Sequence, residues 1–266
     1  MTKRNTQQRR HAIVALVQER GEVSVEELTR SFATSEVTIR KDLALLETGG
    51  LLLRRYGGAV SLPAEMVNAG DPTKVSQRKL AIARAAAERI RDHNRIIIDS
   101  GTTTSAMIPL LGHKRGLIVM TNSLNVAGAL RELENEPTLL MTGGTWDPHS
   151  ESFQGQVAEQ VLRSYDFDQL FIGADGIDLA RGTTTFNELV GLSRVMAEVA
   201  REVVVMVESD KIGRRIPNLE LPWERIQTLV TDDALSAEAR ESIQAKGVTL
   251  ICAPSQTPMQ TDSVRR

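Results

Sequence analysis

The sequence predicts an α/β protein of two domains: a small N-terminal helical domain with a β-ribbon, and a larger domain with a mostly parallel sheet. Three observations predict this. Helical apolar spacing and then a Gly-rich apolar run occupy residues 1–60, and short apolar runs alternate with helical patterns over residues 77–252. Residues 61–76 between them lack sustained periodicity and predict a linker. The 266 residues suffice for both domains, since a single domain usually has about 100–200.

The N-terminal domain begins with two predicted helices. Apolar residues recur at helical spacing from Ala12 to Val17, and Gly21 ends that helix. Ser24 stands three residues before Glu27, which is a capping-box pattern at the start of a helix. A short second helix is therefore predicted over residues 25–32.

A third helix follows a tight turn at residues 33–34, with Ser35 as its N-cap. Its apolar residues are expected to face inward: Val37, Ile39, Leu43 and Leu46. Its polar residues are expected on outer faces: Glu36, Thr38, Arg40 and Lys41. After Gly49-Gly50, a strand-like run and a Gly57-Gly58 turn predict a β-ribbon. Helix, turn, helix and ribbon together predict a winged helix.

A winged helix suggests DNA binding, because the major groove admits an α-helix whose Arg, Lys and Thr side chains contact bases or phosphates. The alternative is a small helical bundle with a solvated charged face. The agreement of spacing, turn and ribbon favours the winged helix, and residues 1–60 hold ten Lys or Arg against seven Asp or Glu. The candidate DNA-binding residues are Ser24, Ser35, Glu36, Thr38, Ile39, Arg40 and Lys41, and, on the ribbon, Arg54, Arg55 and Tyr56.

The larger domain contains seven short apolar runs, each followed by small or polar residues. They are RIIIDSGTTT, LIVMTNSLN, TLLMTGGT, QLFIGADGI, VVVMVESDK, TLVTDDALS and VTLICAPS. Helical patterns lie between several of them, including residues 106–111, 126–133 and 189–201. Buried strands alternating with helices predict a parallel sheet covered on both faces. Residues 253–266 are expected to form a disordered tail.

The loops after these strands predict a small-molecule site, because ligands of such sheets bind at the carboxyl ends of the strands. The loop that begins at Asp99 opens a helix with glycine and hydroxyl side chains, which suits a phosphate group. Residues 121–123 repeat the arrangement after the next strand, and Gly143-Gly144 and residues 173–176 add tight turns. One such loop is more often a plain turn, but several at one sheet edge predict a phosphorylated ligand.

Much of the chain resembles the DeoR-type family of bacterial transcription regulators. The resemblance rests on SVEELTRSFATSEVTIRKDLALLETGGLLLRRYGGAV and continues through FDQLFIGADGIDLARGTTTFNE and VESDKIGR. It implies that TIRKDL belongs to a recognition helix and RRYGGA to a wing. The phrases MTNSL, FQGQVAE and GADGIDL are most similar to glucitol operon repressors.

The resemblance also implies that the C-terminal domain shares the fold of ribose-5-phosphate isomerases, glucosamine-6-phosphate deaminases and CoA transferases. The implied effector-binding residues are Asp99, Ser100, Gly101, Thr102, Thr103, Thr121, Asn122, Ser123, Gly144, Asp175, Gly176, Thr184, Glu188 and Lys211. Lys211 would balance the charge of a phosphate. The family usually has Asp-Ser-Ser-Lys where this chain has residues 208–211 as Glu-Ser-Asp-Lys, and the additional Asp210 would weaken an anion at Lys211.

The same ancestry leaves a sugar-phosphate isomerase or deaminase as the alternative function. Such an enzyme needs a positioned base, and Asp175 or Glu188 is a candidate. Among the histidines only His149 lies near a predicted ligand loop, and Trp146 either covers a ligand or packs in a core or interface. A catalytic domain gains nothing obvious from a winged helix, so a regulator is the preferred prediction.

Composition excludes several classes of protein. Cys252 is the one cysteine, which rules out an internal disulfide and a cysteine-based metal cluster and suits the cytoplasm. No apolar run approaches the ~20 residues of a membrane span. Aromatic residues, at 3%, are too sparse to stack single-stranded nucleic acid. The expected partners are therefore double-stranded operator DNA, a phosphorylated sugar or sugar alcohol, and further copies of the chain in a homodimer or homotetramer, without a cofactor or a metal.

Overall fold

The computed structural model describes residues 3–48, 51–55, 57–61, 75–148, 150–185, 187, 190–214, 216 and 218–255. The chain forms two compact units, Met1–Lys74 and Val75–Arg266. Residues 62–74, within the predicted linker, and residues 256–266, within the predicted tail, lie outside the described residues.

The N-terminal unit is the predicted winged helix. Its helices and strands are α1 (Lys3–Arg20), β1 (Glu22–Ser24), α2 (Val25–Ser31), α3 (Glu36–Thr48), β2 (Leu53–Arg55) and β3 (Gly58–Val60). The three strands form an antiparallel sheet in the order β1-β3-β2. The sequence did not reveal β1, which has only three residues.

Two glycines shape the ends of these elements. Gly21 has a φ of 77° after α1, which is a left-handed conformation that favours glycine at a helix end. Gly58 pairs with Ser24 in the sheet, and a Cβ atom at residue 58 would lie 2.5 Å from the Val23 carbonyl oxygen. Because that contact is with backbone, the wing closes only with glycine at this position.

The core of the N-terminal unit is made by α1, α2 and one face of α3. It includes Ile13, Leu28, Ile39, Leu43 and Leu46. Helix α2 ends one residue earlier than predicted, and the half-buried Phe32 packs on this core. The three helices thus bury one continuous apolar cluster.

The C-terminal unit contains a seven-stranded sheet in which all six strand pairs are parallel. Its strands are β4 (Arg95–Ile98), β5 (Ile118–Thr121), β6 (Thr138–Met141), β9 (Phe167–Ile172), β12 (Ala200–Met206), β14 (Thr228–Asp232) and β15 (Thr249–Ala253). Their order is β15-β14-β12-β9-β4-β5-β6. These are the seven predicted apolar runs, and β15 includes Ala253, the first residue of the predicted tail.

Helices cover both faces of this sheet. They are α4 (Gln77–Ala87), α5 (Thr102–Ser105), α6 (Leu124–Arg131), α7 (Gln156–Leu162), α8 (Gly191–Glu198) and α9 (Ala237–Gln244). Ile82 of α4 and Val126 of α6 pack in one apolar cluster, whereas Leu162 of α7, Met196 of α8 and Ile243 of α9 pack in another. The prediction of a sheet covered on both faces is therefore confirmed.

Several predicted helix limits were wrong. Residues 108–111 form a 3-10 helix, and the helix predicted over 189–201 ends at Glu198 because β12 begins at Ala200. Short strands were also missed: β7 (Thr145–Asp147) and β8 (Ser152–Gln154) form a hairpin. A second antiparallel sheet contains β10 (Gly176–Asp178), β11 (Gly182–Thr185) and β13 (Asn218–Pro222).

Candidate functional site

The start of α3 is held by the residues before it. Ala33 has a φ of 44°, which turns the chain after α2. Ser35 Oγ accepts a hydrogen bond from the Thr38 amide at 3.3 Å and lies 2.9 Å from Thr38 Oγ1. The predicted N-cap is present, and it satisfies an amide that the helix leaves unpaired. Ser35 and Thr38 hydroxyls therefore stabilise the recognition helix itself.

The outward face of α3 differs from the predicted one at two residues. Ile39 is fully buried, so its candidate role in DNA binding was wrong. Val37, expected in the core, is 63% exposed. The cause is helix geometry: residues 39, 43 and 46 share one face, and residue 37 is about 200° from residue 39 around the helix. Glu36, Arg40 and Lys41 are exposed as expected.

Ion pairs orient the basic side chains of the proposed DNA surface. Arg40 Nη2 lies 3.2 Å from Glu36 Oε2, one helical turn away. In the wing, Arg54 Nε donates to Glu47 Oε2 at 2.6 Å. Such exposed pairs contribute little stability, so a phosphate or a base can displace them at small cost. Both arginines remain candidates for DNA contacts.

Three further candidates have different placements. Ser24 caps α2, where its Oγ accepts from the Glu27 amide at 3.1 Å, while the Glu27 carboxylate pairs with Arg20. Arg55 Nη1 lies 3.2 Å from Glu22 Oε1. Tyr56 lies outside the described residues.

A buried ion cluster joins α3 to α1 and was not predicted. Asp42 on α3 is 2% exposed. Its Oδ2 accepts from Arg9 Nε and its Oδ1 from Arg10 Nε, both at 2.7 Å. The partners are more than thirty residues away in sequence, so no local pattern indicates the cluster. Asp42 fixes α3 against α1.

In the C-terminal unit, the loops after β4 and β5 are joined at the carboxyl edge of the sheet. Asn122 Nδ2 donates to Asp99 Oδ1 at 2.8 Å, and Asn122 Oδ1 accepts from the Ser100 amide at 3.1 Å. Thr104 Oγ1 donates to the Asp99 carbonyl oxygen at 2.8 Å. The structure thus brings together two of the predicted ligand loops.

Two lysine side chains contact loops at the carboxyl edge of the sheet, Lys79 the loop after β4 and Lys211 the loop after β9, and sequence reasoning missed Lys79. Lys79, in the first turn of α4, has Nζ at 3.0 Å from Thr102 Oγ1 and 3.8 Å from Glu208 Oε2. Lys211 Nζ donates to the Ala174 carbonyl oxygen at 3.2 Å. A basic residue in the first turn of a helix, three residues after the capping Ser76, was the available signal for Lys79, but its contact with residue 102 depends on the fold.

Asp210 does not oppose Lys211 in the way the sequence suggested. Its Oδ1 lies 3.1 Å from Arg78 Nη2, and its Oδ2 lies 3.3 Å from Arg214 Nη2. Two guanidinium groups therefore balance the additional carboxylate. The role of Lys211 in binding an effector stays a prediction.

Several predicted ligand residues are interior. Thr103, Thr121, Asn122, Ser123, Gly176 and Thr184 are buried. Thr121 Oγ1 accepts from the Ser123 amide at 3.1 Å, and Ser123 Oγ accepts from the Val126 amide at 3.4 Å. Their hydroxyls shape the loop, so the expectation that Thr121 and Ser123 offer side chains to a ligand is corrected. A Cβ atom on Gly144 would lie 2.5 Å from the Gln154 carbonyl oxygen. Glycine at this position therefore allows the backbone to pass close to β8 of the hairpin.

The remaining candidates are carboxylates and short loop residues. Ser100 is half-buried, and Gly101 and Thr102 are exposed. Asp175 Oδ2 accepts from Thr185 Oγ1 at 2.7 Å. Glu188 and His149 lie outside the described residues.

Asp99 and Glu220 have raised pKa values. Burial raises the pKa of Asp99 to about 6, against a hydrogen bond from Asn122 that lowers it, and repulsion from Asp175 raises it further. Burial likewise raises the pKa of Glu220 to about 8; the hydrogen bond from Ser193 lowers it, and the charges of Asp99 and Asp175 raise it. Glu220 lies on β13, which the sequence did not predict, so no sequence signal marked it.

The described residues contain no group of three or more His, Cys, Asp or Glu side chains that could hold a metal ion. Among the helices that the structure describes, none has both the length and the apolar character needed to cross a bilayer.

Comparison with known families decides the class of protein. Residues 9–64 match the DeoR-like helix-turn-helix domain, and residues 74–233 match the DeoR C-terminal sensor domain. The chain belongs to the DeoR family. It is a DNA-binding transcription regulator and not an enzyme. One match falls on the winged helix and the other on the C-terminal unit, which contains the joined loops after β4 and β5.

Relatives of this chain support its membership of the DeoR family along most of its length. The chain is 39% identical over 252 residues to the putative aga operon transcriptional repressor of Escherichia coli O157:H7. The alignment covers 92% of this chain and 93% of the relative. The chain is also 33% identical over 211 residues to the glycerol-3-phosphate regulon repressor of Escherichia coli K12. That alignment covers 78% of this chain and 83% of the relative. The similarity to the glucitol operon subgroup stays a prediction.

Among solved structures, ribose 5-phosphate isomerase A of Methanocaldococcus jannaschii matches with a TM-score of 0.36 and 20% identity, over 50% of this chain and 53% of the isomerase. The expected likeness to the isomerase fold therefore also stays a prediction.

Proposed function

We propose that this DeoR-family regulator represses a sugar or sugar-alcohol catabolic operon and that a phosphorylated sugar bound in the C-terminal unit relieves the repression. The relatives support the proposal, because one is described as a repressor of the aga operon and another as a repressor of the glycerol-3-phosphate regulon. We also propose that the protein acts in the cytoplasm, where operator DNA and phosphorylated sugars are both present.

The observation that carries the effector proposal is the placement of Lys79 beside Thr102. A lysine ammonium is a compact charge that binds phosphate, and the neighbouring Glu208 holds it in place until an anion arrives. Lys211 supplies a second cation from the loop that contains Glu208. The proposed phosphate lies beside Lys79 and Thr102, with Lys211 as the second candidate cation.

The sugar moiety would be recognised by the carboxylates of the same edge. Asp175 accepts a hydrogen bond from Thr185, and Asp99 accepts one from Asn122, so both are oriented. Oriented carboxylates accept hydrogen bonds from sugar hydroxyl groups. We retain Glu188 in this role as well, on the family motif alone.

The regulator is proposed to act as a homodimer or homotetramer, because a two-fold symmetric operator presents two equivalent half-sites. Sedimentation at the protein concentration used for DNA binding measures this directly. A monomer with full operator affinity would contradict it.

The test of the function is operator binding in the presence of candidate effectors. Gel shifts with DNA upstream of the protein's own operon should show a complex that one member of a panel of sugar phosphates releases. To change the bound fraction from 99% to 1%, the effector must prefer the released state by about 5.5 kcal/mol. Stronger binding with the effector would indicate activation, and no response to any phosphate would contradict the effector class.

Gly101→Val is expected to block release by the effector while operator binding is unchanged. Gly101 has a φ of 146°, and a Cβ atom there would lie 3.3 Å from Thr104 Oγ1. A β-branched side chain is therefore strained at this position and displaces the loop beside Thr102. The matched control is Gly128→Val on α6, where a Cβ atom meets nothing within 4 Å. Effector titrations of preformed complexes separate the two variants; a normal response of Gly101→Val would refute the loop assignment.

Arg40→Ala is expected to weaken operator binding by about 1–3 kcal/mol and to relax base preference at one position, if the guanidinium contacts a base. Arg163→Ala is the control, because it also removes an arginine from an exposed i,i+4 pair with glutamate but lies in the C-terminal unit. Binding isotherms on operator variants measure both. An equal loss on all sequences would assign Arg40 to a phosphate contact.

A further inference from the structure

The recognition helix exposes an apolar side chain among its charges. Val37 is 63% exposed, the largest exposure of any large hydrophobic side chain in the described part of the chain. Valine has no hydrogen-bonding group, so this exposure does not serve a contact with a phosphate. An apolar side chain on such a face fits an apolar partner.

Helix geometry places Val37 on the basic face. Arg40 and Lys41 follow it by three and four residues, and residues at these spacings are neighbours on one side of a helix. Ile39, Leu43 and Leu46 occupy the opposite, buried side. Any surface that Arg40 and Lys41 approach is therefore also reached by Val37.

The apolar group that DNA offers in the major groove is the C5-methyl group of thymine. We propose that Val37 contacts the C5-methyl group of a thymine in the operator and so determines the base preferred at that position. The inference rests on the DNA-binding function of the N-terminal unit and adds a specific base contact to it.

The stiffness of the valine side chain suits this role. A valine side chain in a helix is held in one χ1 rotamer in about 90% of cases, so its methyl groups have a fixed direction. The α3 backbone at this point is in turn held by the Ser35 cap and by the Asp42 cluster. A methyl contact made from such a rigid position distinguishes thymine from bases without a methyl group.

The test replaces each thymine of the operator, one at a time, by deoxyuridine, which removes only the methyl group. With the wild-type protein, one such replacement per half-site should weaken binding roughly fourfold, the loss expected for about one buried methyl group. With Val37→Ala, binding to the thymine operator should be weaker, and the same replacement should have no further effect. Replacements at other thymines should act equally on both proteins.

Val37→Ala should not destabilise the N-terminal unit, because Val37 is exposed and alanine has a higher helix propensity than valine. A loss of binding by this variant is therefore not a loss of folding. Val157→Ala is the control: Val157 is 59% exposed and lies in the first turn of α7 in the other unit. It should leave every thymine response unchanged.

Two results would overturn the inference. An equal loss for Val37→Ala on thymine and deoxyuridine operators would show that the methyl group is not its partner. A change in sedimentation with Val37→Ala, and none in the thymine response, would assign Val37 to a contact between copies of the chain. Failure of the wild-type protein to bind its operator at all would instead contradict the proposed function.

Discussion

Replacing Asp42 by alanine is expected to destabilise the N-terminal unit by about 3 kcal/mol and to abolish specific operator binding. Breaking a buried ion pair from one side costs ~3–5 kcal/mol, since the remaining charges stay desolvated without a partner. We expect the lower value of this range because one of the two partners is partly solvated: the Arg10 side chain is 32% exposed, whereas that of Arg9 is 11% exposed. Arg9 and Arg10 would then repel each other between α1 and α3, which changes the angle of the recognition helix.

Asp210→Ala is the matched control for this prediction. Asp210 also receives two arginines, but its side chain is 48% exposed. Exposed pairs contribute about 0–1 kcal/mol, so its removal should have little effect on stability. Calorimetry should show a lower melting temperature for the N-terminal transition only in Asp42→Ala. If Asp42→Ala and Asp210→Ala had the same melting temperature for the N-terminal transition, the buried Asp42 cluster would contribute nothing to the stability of that unit.

Replacing Glu220 by glutamine is expected to remove a loss of stability that occurs as the pH rises from 4.5 to about 8. Burial raises the Glu220 pKa from 4.5 to about 8. Between these values the folded protein keeps a proton that the unfolded chain has lost, so unfolding releases a proton and rising pH favours unfolding. The wild-type C-terminal unit should therefore lose stability, by an amount on the order of a few kcal/mol, as the pH rises through this window.

Glutamine preserves the shape of the side chain and the oxygen that accepts from Ser193 Oγ at 2.8 Å. The variant should melt with a weaker pH dependence than the wild type and at a higher temperature at pH 8. Glu224→Gln, at an exposed glutamate of the same unit, is the control. Parallel pH profiles for wild type and Glu220→Gln would mean that residue 220 does not hold the proton.

The seven-stranded sheet was predictable because each strand is a short apolar run with a polar loop after it. Strands β1, β7 and β10 were not predictable, since each has three residues and too little periodicity to stand out. They form where the rest of the fold offers a partner strand. Pairing with another strand, rather than the β propensity of the three residues, decides their existence.

The candidate sites likewise contain some residues that a local sequence pattern marks and others that only the fold brings together. The proposed phosphate loop after β4 was assigned from glycine and hydroxyl residues in the sequence, and Arg40 from its position on a helix; both assignments stay predictions. Lys79, Asp42 and Glu220 were missed because their partners lie 23, 33 and 27 residues away. Val37 was assigned to the core because it is apolar, although its spacing from Ile39 does not fit one helix face.

The strand order of the large sheet has a consequence for how the protein is made. Its central strand, β9, pairs with β4, about seventy residues earlier, and with β12, about thirty residues later. The ribosome must therefore synthesise most of the chain before the middle of the sheet can close, whereas the winged helix depends on shorter separations. During synthesis the DNA-binding unit can fold first. The strands that will form the sensor core remain exposed until β12 emerges, so this half of the protein is the one that depends on protection from aggregation.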